Sequence, residues 1–251
     1  MGAGIFTVDT HCHLTDFTPI VGVSDVVVPA YDRGSWDRID GCVGASGFHP
    51  AYGYHPWVAH QPVDLVVLAQ RLSLGRAVAV GEIGLDTKCE TSGLAEQLPL
   101  LEAQLQLAVD RDLPVILHCR GAIPELLAAL ANHRGQVRGV LHGFSRGLDV
   151  AEKFVRAGLH LGLGGVLTRH QAHRVRAAAR GLPRECVVLE TDAPDGFIAG
   201  VPRGQVTPSH LSRVLVALAE LRAEPVELVA CYTSANARGL FDFSKKTTAR
   251  E

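Results

Sequence analysis

The stretch Ile5-Phe6-Thr7-Val8-Asp9-Thr10-His11-Cys12-His13 is an apolar, β-prone run that ends in two histidines. The pattern returns along the chain, with Glu82 after Ala77–Val80, His118 after Val115–Leu117, His142 after Val140–Leu141 and Asp192 after Val187–Leu189. Short apolar runs bounded by turn residues read as buried strands. A packed core gains nothing from imidazoles and carboxylates, because unpaired buried polar groups are costly. Separate strands therefore deliver polar groups to one end of a sheet. In a barrel of alternating strands and helices, that end is where catalytic groups collect.

Working outward, strand candidates are Ile5–Asp9, Asp25–Pro29, Ala51–Tyr54, Ala77–Gly81, Pro114–His118, Gly139–His142, His160–Gly162 and Val187–Glu190. The second has more than one possible register within Val21–Ala30. Helical periodicity marks Gly93–Arg111, Pro124–Ala131, Leu148–Ala157, His170–Arg180 and Ser209–Leu221, the last with a Thr207-Pro208-Ser209 start signal. Alternating strands and helices predict an α/β fold, and eight strands predict a single (β/α)8 TIM-type barrel. The barrel spans 1–251 as one domain, with an extra C-terminal helix over Pro225–Leu240 and a polar tail from about residue 244.

Composition narrows the function. The 251 residues, 47% hydrophobic and 20% charged, fit one globular barrel, since such barrels run to about 250 residues. A net charge of −2 without a basic run outside the tail argues against an avid duplex-DNA binder. No apolar run approaches the roughly 18 residues of a membrane span. The six cysteines form no CxxC pair, and the start of the chain has no basic region followed by a long apolar one. A cytoplasmic protein with reduced thiols is expected.

In an extended chain His11 and His13 share a face and Cys12 points away, so two imidazoles can chelate one cation, with Asp9 one step deeper on their face. Taken singly, each candidate has a plain alternative: hydrogen-bonded histidines at a polar strand end, a surface Glu82 in a glycine turn, an Asp192 that caps a helix before Pro194. The joint order HxH, E, H, H, D favours a metal site. Glu82, with glycines at 81 and 84, suits a carboxylate that bridges two ions. Mixed nitrogen and oxygen ligands suit Zn²⁺ or Mn²⁺ better than Mg²⁺.

The segments Asp9–Leu14, Gly53-Tyr54-His55-Pro56-Trp57, Gly81–Asp86, Leu117-His118-Cys119-Arg120, His142-Gly143-Phe144-Ser145 and Glu190-Thr191-Asp192-Ala193-Pro194 resemble the TatD-like metal-dependent hydrolases of the amidohydrolase superfamily. The similarity runs from about Thr7 to an Asn236–Phe241 ending that also looks like the family's. The resemblance implies a distorted (β/α)8 barrel, two divalent metal ions (Mg, Mn or Zn) and phosphodiesterase chemistry, typically 3′→5′ DNase action on single strands. It also implies that His11, His13, Glu82 and Asp192 hold one ion, and Glu82, His118 and His142 the other. By position, His55, Arg120 and Arg203 match the substrate side, with His55 favoured over the similar-looking His49. The family's final loop motif is altered here to Arg203-Gly204-Gln205-Val206-Thr207-Pro208, without its Asn and Glu.

The mechanism these features predict is attack of a metal-activated water on a phosphodiester, with Glu82 and Asp192 as catalytic residues and Asp192 as the base. Partners are nucleic-acid ends or a small phosphodiester. Other readings are an amidohydrolase acting on a C–N or C–O bond, and a non-catalytic subunit that keeps the fold.

Overall fold

Strand order follows chain order in one eight-stranded parallel sheet. The computed structural model describes residues 7–13, 22–42 and 45–244. Ile5 and Phe6 of the first strand candidate, Asp16 and the tail from residue 245 lie outside the described residues. The elements are β1 (Thr7–Asp9), β2 (Val23–Pro29), α1 (Arg33–Cys42), β3 (Phe48–Tyr52), α2 (Leu65–Ser73), β4 (Ala79–Asp86), α3 (Leu94–Asp110), β5 (Val115–Arg120) and α4 (Ile123–Asn132). They continue with β6 (Gly139–Leu141), α5 (Leu148–Arg156), β7 (Leu159–Leu163), α6 (His173–Gly181), β8 (Val187–Leu189), α7 (Leu211–Arg222) and α8 (Val226–Leu240). The architecture is the expected TIM-type barrel.

Period-two alternation divides the apolar residues into two layers. Val27, Ile116, Val140 and Val188 fill the barrel interior, while their neighbours Val26, Val28, Val115, Leu117, Leu141, Val187 and Leu189 pack outward against the helices. The interior cluster is completed by Ala237, Leu240 and Phe241 from the end of α8. The extra helix therefore plugs the N-terminal end of the barrel, and full burial of a side chain such as Phe241 stabilises the fold by about 1.5–3 kcal/mol. The same parity aims the next residues at the open end: Ile116 leads to His118 and Val140 to His142.

The barrel closes between β8 and β1 through the chain just beyond the two strands. Thr10 N donates to Leu189 O at 3.0 Å, Asp192 N to His11 O at 2.8 Å and His13 N to Ala193 O at 2.6 Å. The seam is thus sewn by the segments that carry three of the metal-ligand candidates.

Several boundaries differ from the sequence reading. Glu82 does not follow its strand; β4 runs on to Asp86, with all eight residues buried. The β4–β5 register shifts between Val80 and Ile83, a bulge that lets the strand continue while re-aiming Glu82. β5 likewise runs past His118 to Arg120, and β3 starts earlier, at Phe48. The Thr207-Pro208-Ser209 signal begins a 3₁₀ turn, Pro208–His210, before α7. Helices α1 and α2 carried weak periodicity. Glycines 34 and 41 sit near the two ends of α1 and weaken its helical signal, and Leu65-Val66-Val67-Leu68 of α2 reads as β-prone. What starts α2 is Asp64, whose Oδ1 accepts from Val66 N and Val67 N, both at 3.0 Å.

His49, the lookalike of His55, sits at the N-terminal end of the barrel. Its Nε2 lies 2.9 Å from Asp25 Oδ1, and its ring stacks on Phe243 at 4.0 Å. Asp25 Oδ2 also accepts from Ser24 Oγ at 2.8 Å and Arg238 Nη2 at 3.1 Å, which ties α8 to β2. Partial burial pushes the Asp25 carboxyl up, but the bonds from His49, Ser24 and Arg238 outweigh it and hold it at about 2. A depressed carboxylate contributes stability above its ordinary value of 3.8, and that contribution is lost as pH falls towards about 2. Urea midpoints of wild type and Asp25→Asn should therefore differ at pH 5 and converge near pH 2. A pH-independent difference would show that the ionised form is not what stabilises.

Candidate metal centre

Glu82 stands at the middle of the open end of the barrel, 3% exposed, and its two carboxylate oxygens face different neighbours. Oε2 lies 3.3 Å from His11 Nε2 and 3.5 Å from His13 Nε2. Asp192 Oδ1 lies 3.7 Å from each of those nitrogens, which are themselves 3.1 Å apart. On the other side, Oε1 lies 2.8 Å from His142 Nε2 and 3.0 Å from His118 Nδ1, and these nitrogens are 3.2 Å apart. All six predicted ligands come together as two sets that share one carboxylate.

Local features explain how the chain reaches this arrangement. Gly81 lies so close to β5 that a Cβ there would sit 2.7 Å from Ile116 Cβ. Gly84, at φ +149°, lies against the backbone of His118, where a Cβ would meet the carbonyl oxygen at 2.0 Å. These glycines serve close strand approach within β4 rather than a turn. Glu82 N donates to Ala30 O at 2.7 Å, which fixes the bulge to the end of β2. Asp192 has φ +54°, and no helix starts at Pro194, so it does not cap one. Its carbonyl instead accepts from Gly196 N at 2.6 Å, closing a turn.

Asp9 does not reach the ligand nitrogens. Val8 packs in the inner cluster and Cys12 in the outer one, so the alternation of faces breaks between them. The Asp9 carboxylate is used in the seam, where Oδ1 accepts from Thr191 N at 3.0 Å and Oδ2 from Thr191 Oγ1 at 2.6 Å. Burial pushes its pKa up to about 7 despite those bonds.

The donor set fits divalent cations. Facing imidazole nitrogens repel unless a proton or a cation lies between them. For ligand bonds of about 2.0–2.1 Å, a tetrahedral ion needs its ligand atoms about 3.4 Å apart, close to the 3.1–3.7 Å found around His11 and His13. The electrostatics agree. Burial pushes the Glu82 carboxyl up, yet His142, His55 and His11 outweigh it and hold it well below the usual range. Burial disfavours charge on His142, yet Glu82 and then Glu190 and Asp192 push it up to about 10. The field at this point favours positive charge.

Other groups orient the ligands. Asp86, 1% exposed, places Oδ2 3.4 Å from His118 Nε2 and accepts from Trp57 Nε1 at 2.9 Å. A carboxylate behind a ligating imidazole fixes its orientation. Glu190 accepts from Gly143 N at 2.6 Å beside His142. Two buried glutamines of α3 clamp backbone near the site: Gln104 Oε1 accepts from Tyr54 N at 2.7 Å, and Gln97 Oε1 from Asp86 N at 2.8 Å.

His55 lies 3.4 Å from Glu82 Oε1 and groups spatially with Glu82 and His118. Its Nδ1 accepts from Trp57 N at 3.2 Å, so the neutral ring carries its proton on Nε2. That makes it a donor towards the site rather than a further ligand. A cavity of about 510 Å³ opens over the ligands, walled by Tyr31, Arg38, Trp57 and Pro194. Arg120 is exposed at the end of β5, and Arg203 is exposed in the loop after β8; neither lines that cavity. Among the described residues of the lining, the permanently charged cation is Arg38, which sequence reasoning passed over because α1 carried no motif. In the altered loop, Val206 and Pro208 are buried and Thr207 N donates to His210 Nδ1 at 3.0 Å, so its end is capped without the missing Asn and Glu.

Residues 8–242 match the family model described as TatD related DNase. The chain is 37% identical to the Uncharacterized metal-dependent hydrolase YjjV of Escherichia coli (strain K12), covering 94% of this chain and 97% of that one. The crystal structure of YjjV, a TatD homolog, superposes with a TM-score of 0.87 at 35% identity over 95% of this chain and 98% of that one. The chain is also 34% identical to the 3'-5' ssDNA/RNA exonuclease TatD of Cronobacter sakazakii (strain ATCC BAA-894), covering 81% and 78% of the two chains.

The contact at Gly84 is directly testable. Gly84→Ala should lower stability by about 1–3 kcal/mol or more, the scale of overpacking, seen as a fall in thermal midpoint. A variant that melts with wild type would show that β4 and β5 do not need this approach.

Proposed function

This chain belongs to the TatD family of metal-dependent hydrolases, and on that premise we propose that it hydrolyses phosphodiesters, removing nucleotides 3′→5′ from single-stranded ends. The observation that carries this reading is the division of the Glu82 carboxylate between two ligand sets, Oε2 towards His11 and His13, Oε1 towards His118 and His142. His11, His13, Glu82 and Asp192 would hold one divalent ion, and Glu82, His118 and His142 a second. When bound, such ions neutralise phosphoryl charge and lower the pKa of water from about 15.7 towards 7.

The chain's own groups supply the rest. Asp192, with a side chain 35% exposed to the cavity, takes the proton from the attacking water. His55 donates from Nε2 to a phosphoryl oxygen, held in that tautomer by Trp57 N. Trp57 is 51% exposed, with its indole fixed by Asp86, and offers a flat face on which a base can stack. The name of the Cronobacter sakazakii relative supports the same substrate class.

Elemental analysis of protein equilibrated with Mn²⁺ or Zn²⁺ should find two ions per chain, and Glu82→Ala should lose metal and activity together. Full metal content in that variant would rule out the bridging role. Asp192→Asn keeps an oxygen donor and cannot accept the proton, so turnover of bis-p-nitrophenyl phosphate and of a single-stranded oligonucleotide should fall by about 10²–10⁴. Recovery of the rate on titrating Mn²⁺ would assign Asp192 to metal binding alone. Hydrolysis of cyclic amides in place of both phosphodiesters would move the enzyme to the amidohydrolase reading.

A further inference from the structure

We propose that Arg38 and Tyr31 form an anion-binding arm for a second phosphate, adjacent to the one that is cut. This rests on the phosphodiesterase reading and specifies its substrate: a nucleotide end bearing a flanking phosphate, rather than an isolated diester.

Among the described residues that line the cavity, Arg38 is the permanent cation. Acids close to it in sequence have other partners: Asp37 and Asp40 on the same helix pair with Arg71, and Asp32 Oδ1 accepts from Ser35 N at 2.7 Å. The guanidinium is held by Tyr31, since Nη2 donates to the phenol oxygen at 2.6 Å and the group lies 5.8 Å from the ring centre. One bond leaves most of the guanidinium's five N–H donors available, in a fork that matches phosphate oxygens. Tyr31 in turn stands edge-on to His13, ring centres 6.3 Å apart, so the arm begins one side chain away from the ligand set.

The support beneath the arm is rigid. Ser35 Oγ accepts from Tyr31 N at 3.1 Å and Asp32 N at 3.0 Å, and donates to Asp32 O at 2.6 Å. Tyr31 O accepts from His55 N at 2.9 Å, and the preceding Ala30 O from Glu82 N at 2.7 Å. The loop that carries the arm is therefore bonded to the backbone of two site residues. Asp195, also on the lining, disfavours an anion beside it, whereas Arg38 on α1 favours one. A phosphate at the ligand set is met by His55, which leaves Arg38 on the α1 wall for a neighbouring phosphate.

The test compares a thymidine dinucleotide with and without a terminal phosphate, using wild type, Arg38→Ala, Arg38→Lys and Tyr31→Phe in Mn²⁺. Wild type should prefer the phosphate-bearing dinucleotide in kcat/KM by about 10–100-fold, the scale of a charge-assisted contact. Arg38→Ala should abolish that preference, mainly through KM. Arg38→Lys should keep part of it, and Tyr31→Phe should weaken it. Equal losses on both dinucleotides, or no preference in wild type, would overturn the arm while leaving phosphodiesterase activity in place. Absence of any diester hydrolysis would instead overturn the underlying reading. In that case, calorimetric binding of the phosphate-bearing dinucleotide still decides the arm: equal affinity for wild type and Arg38→Ala rejects it.

Discussion

A single buried carboxylate organises this molecule. Glu82 is nearly without solvent, and an ionised carboxylate in that position is tolerable only if positive charge or strong donors surround it. His11, His13, His55, His118 and His142 do so within 3.5 Å, from four separate stretches of chain. Removing water from the middle of the barrel mouth makes the site a strong attractor for cations. The same field that raises His142 would hold metal ions in its place. Catalytic potential and structural cohesion at this end of the barrel thus have one electrostatic origin.

The seam between β8 and β1 shows the same economy. A barrel needs its last strand bonded to its first, yet among the described residues each of these strands has only three. The missing bonds come from the chain beyond them, with His11, His13, Asp192 and Ala193 pairing across the gap. Asp9 and Thr191 reinforce it with side-chain bonds. Closing the barrel and positioning His11, His13 and Asp192 are therefore one event, and the inner plug from α8 stabilises the opposite end independently.

The walls differ in origin from the ligands. The two ligand sets are built on strands and on the chain leaving them, while Tyr31, Arg38 and Trp57 come from the connections that follow β2 and β3. This division lets the wall vary while the chemistry stays in place. The altered Arg203–Pro208 stretch fits that view, since it keeps its place by burying Val206 and Pro208 and by the Thr207–His210 cap.

The sequence by itself determined the eight-stranded barrel and the six residues gathered at its mouth. Strand-end position and period-two parity are local properties, and they carry His118 and His142 inward from Ile116 and Val140. The choice of His55 over His49 also rested on local pattern, the strand expected before it. Tertiary structure alone decided the rest. The bulge at Glu82 depends on how closely β4 approaches β5, and the seam role of Asp9 depends on Thr191, 182 residues away. Arg38 became visible as a site residue only when α1 packed beside the cavity, and Arg120 and Arg203, matched by motif, were left outside its lining. Motifs encode what each strand presents to its own end; which side chains share a cavity is set by packing between segments far apart in the chain.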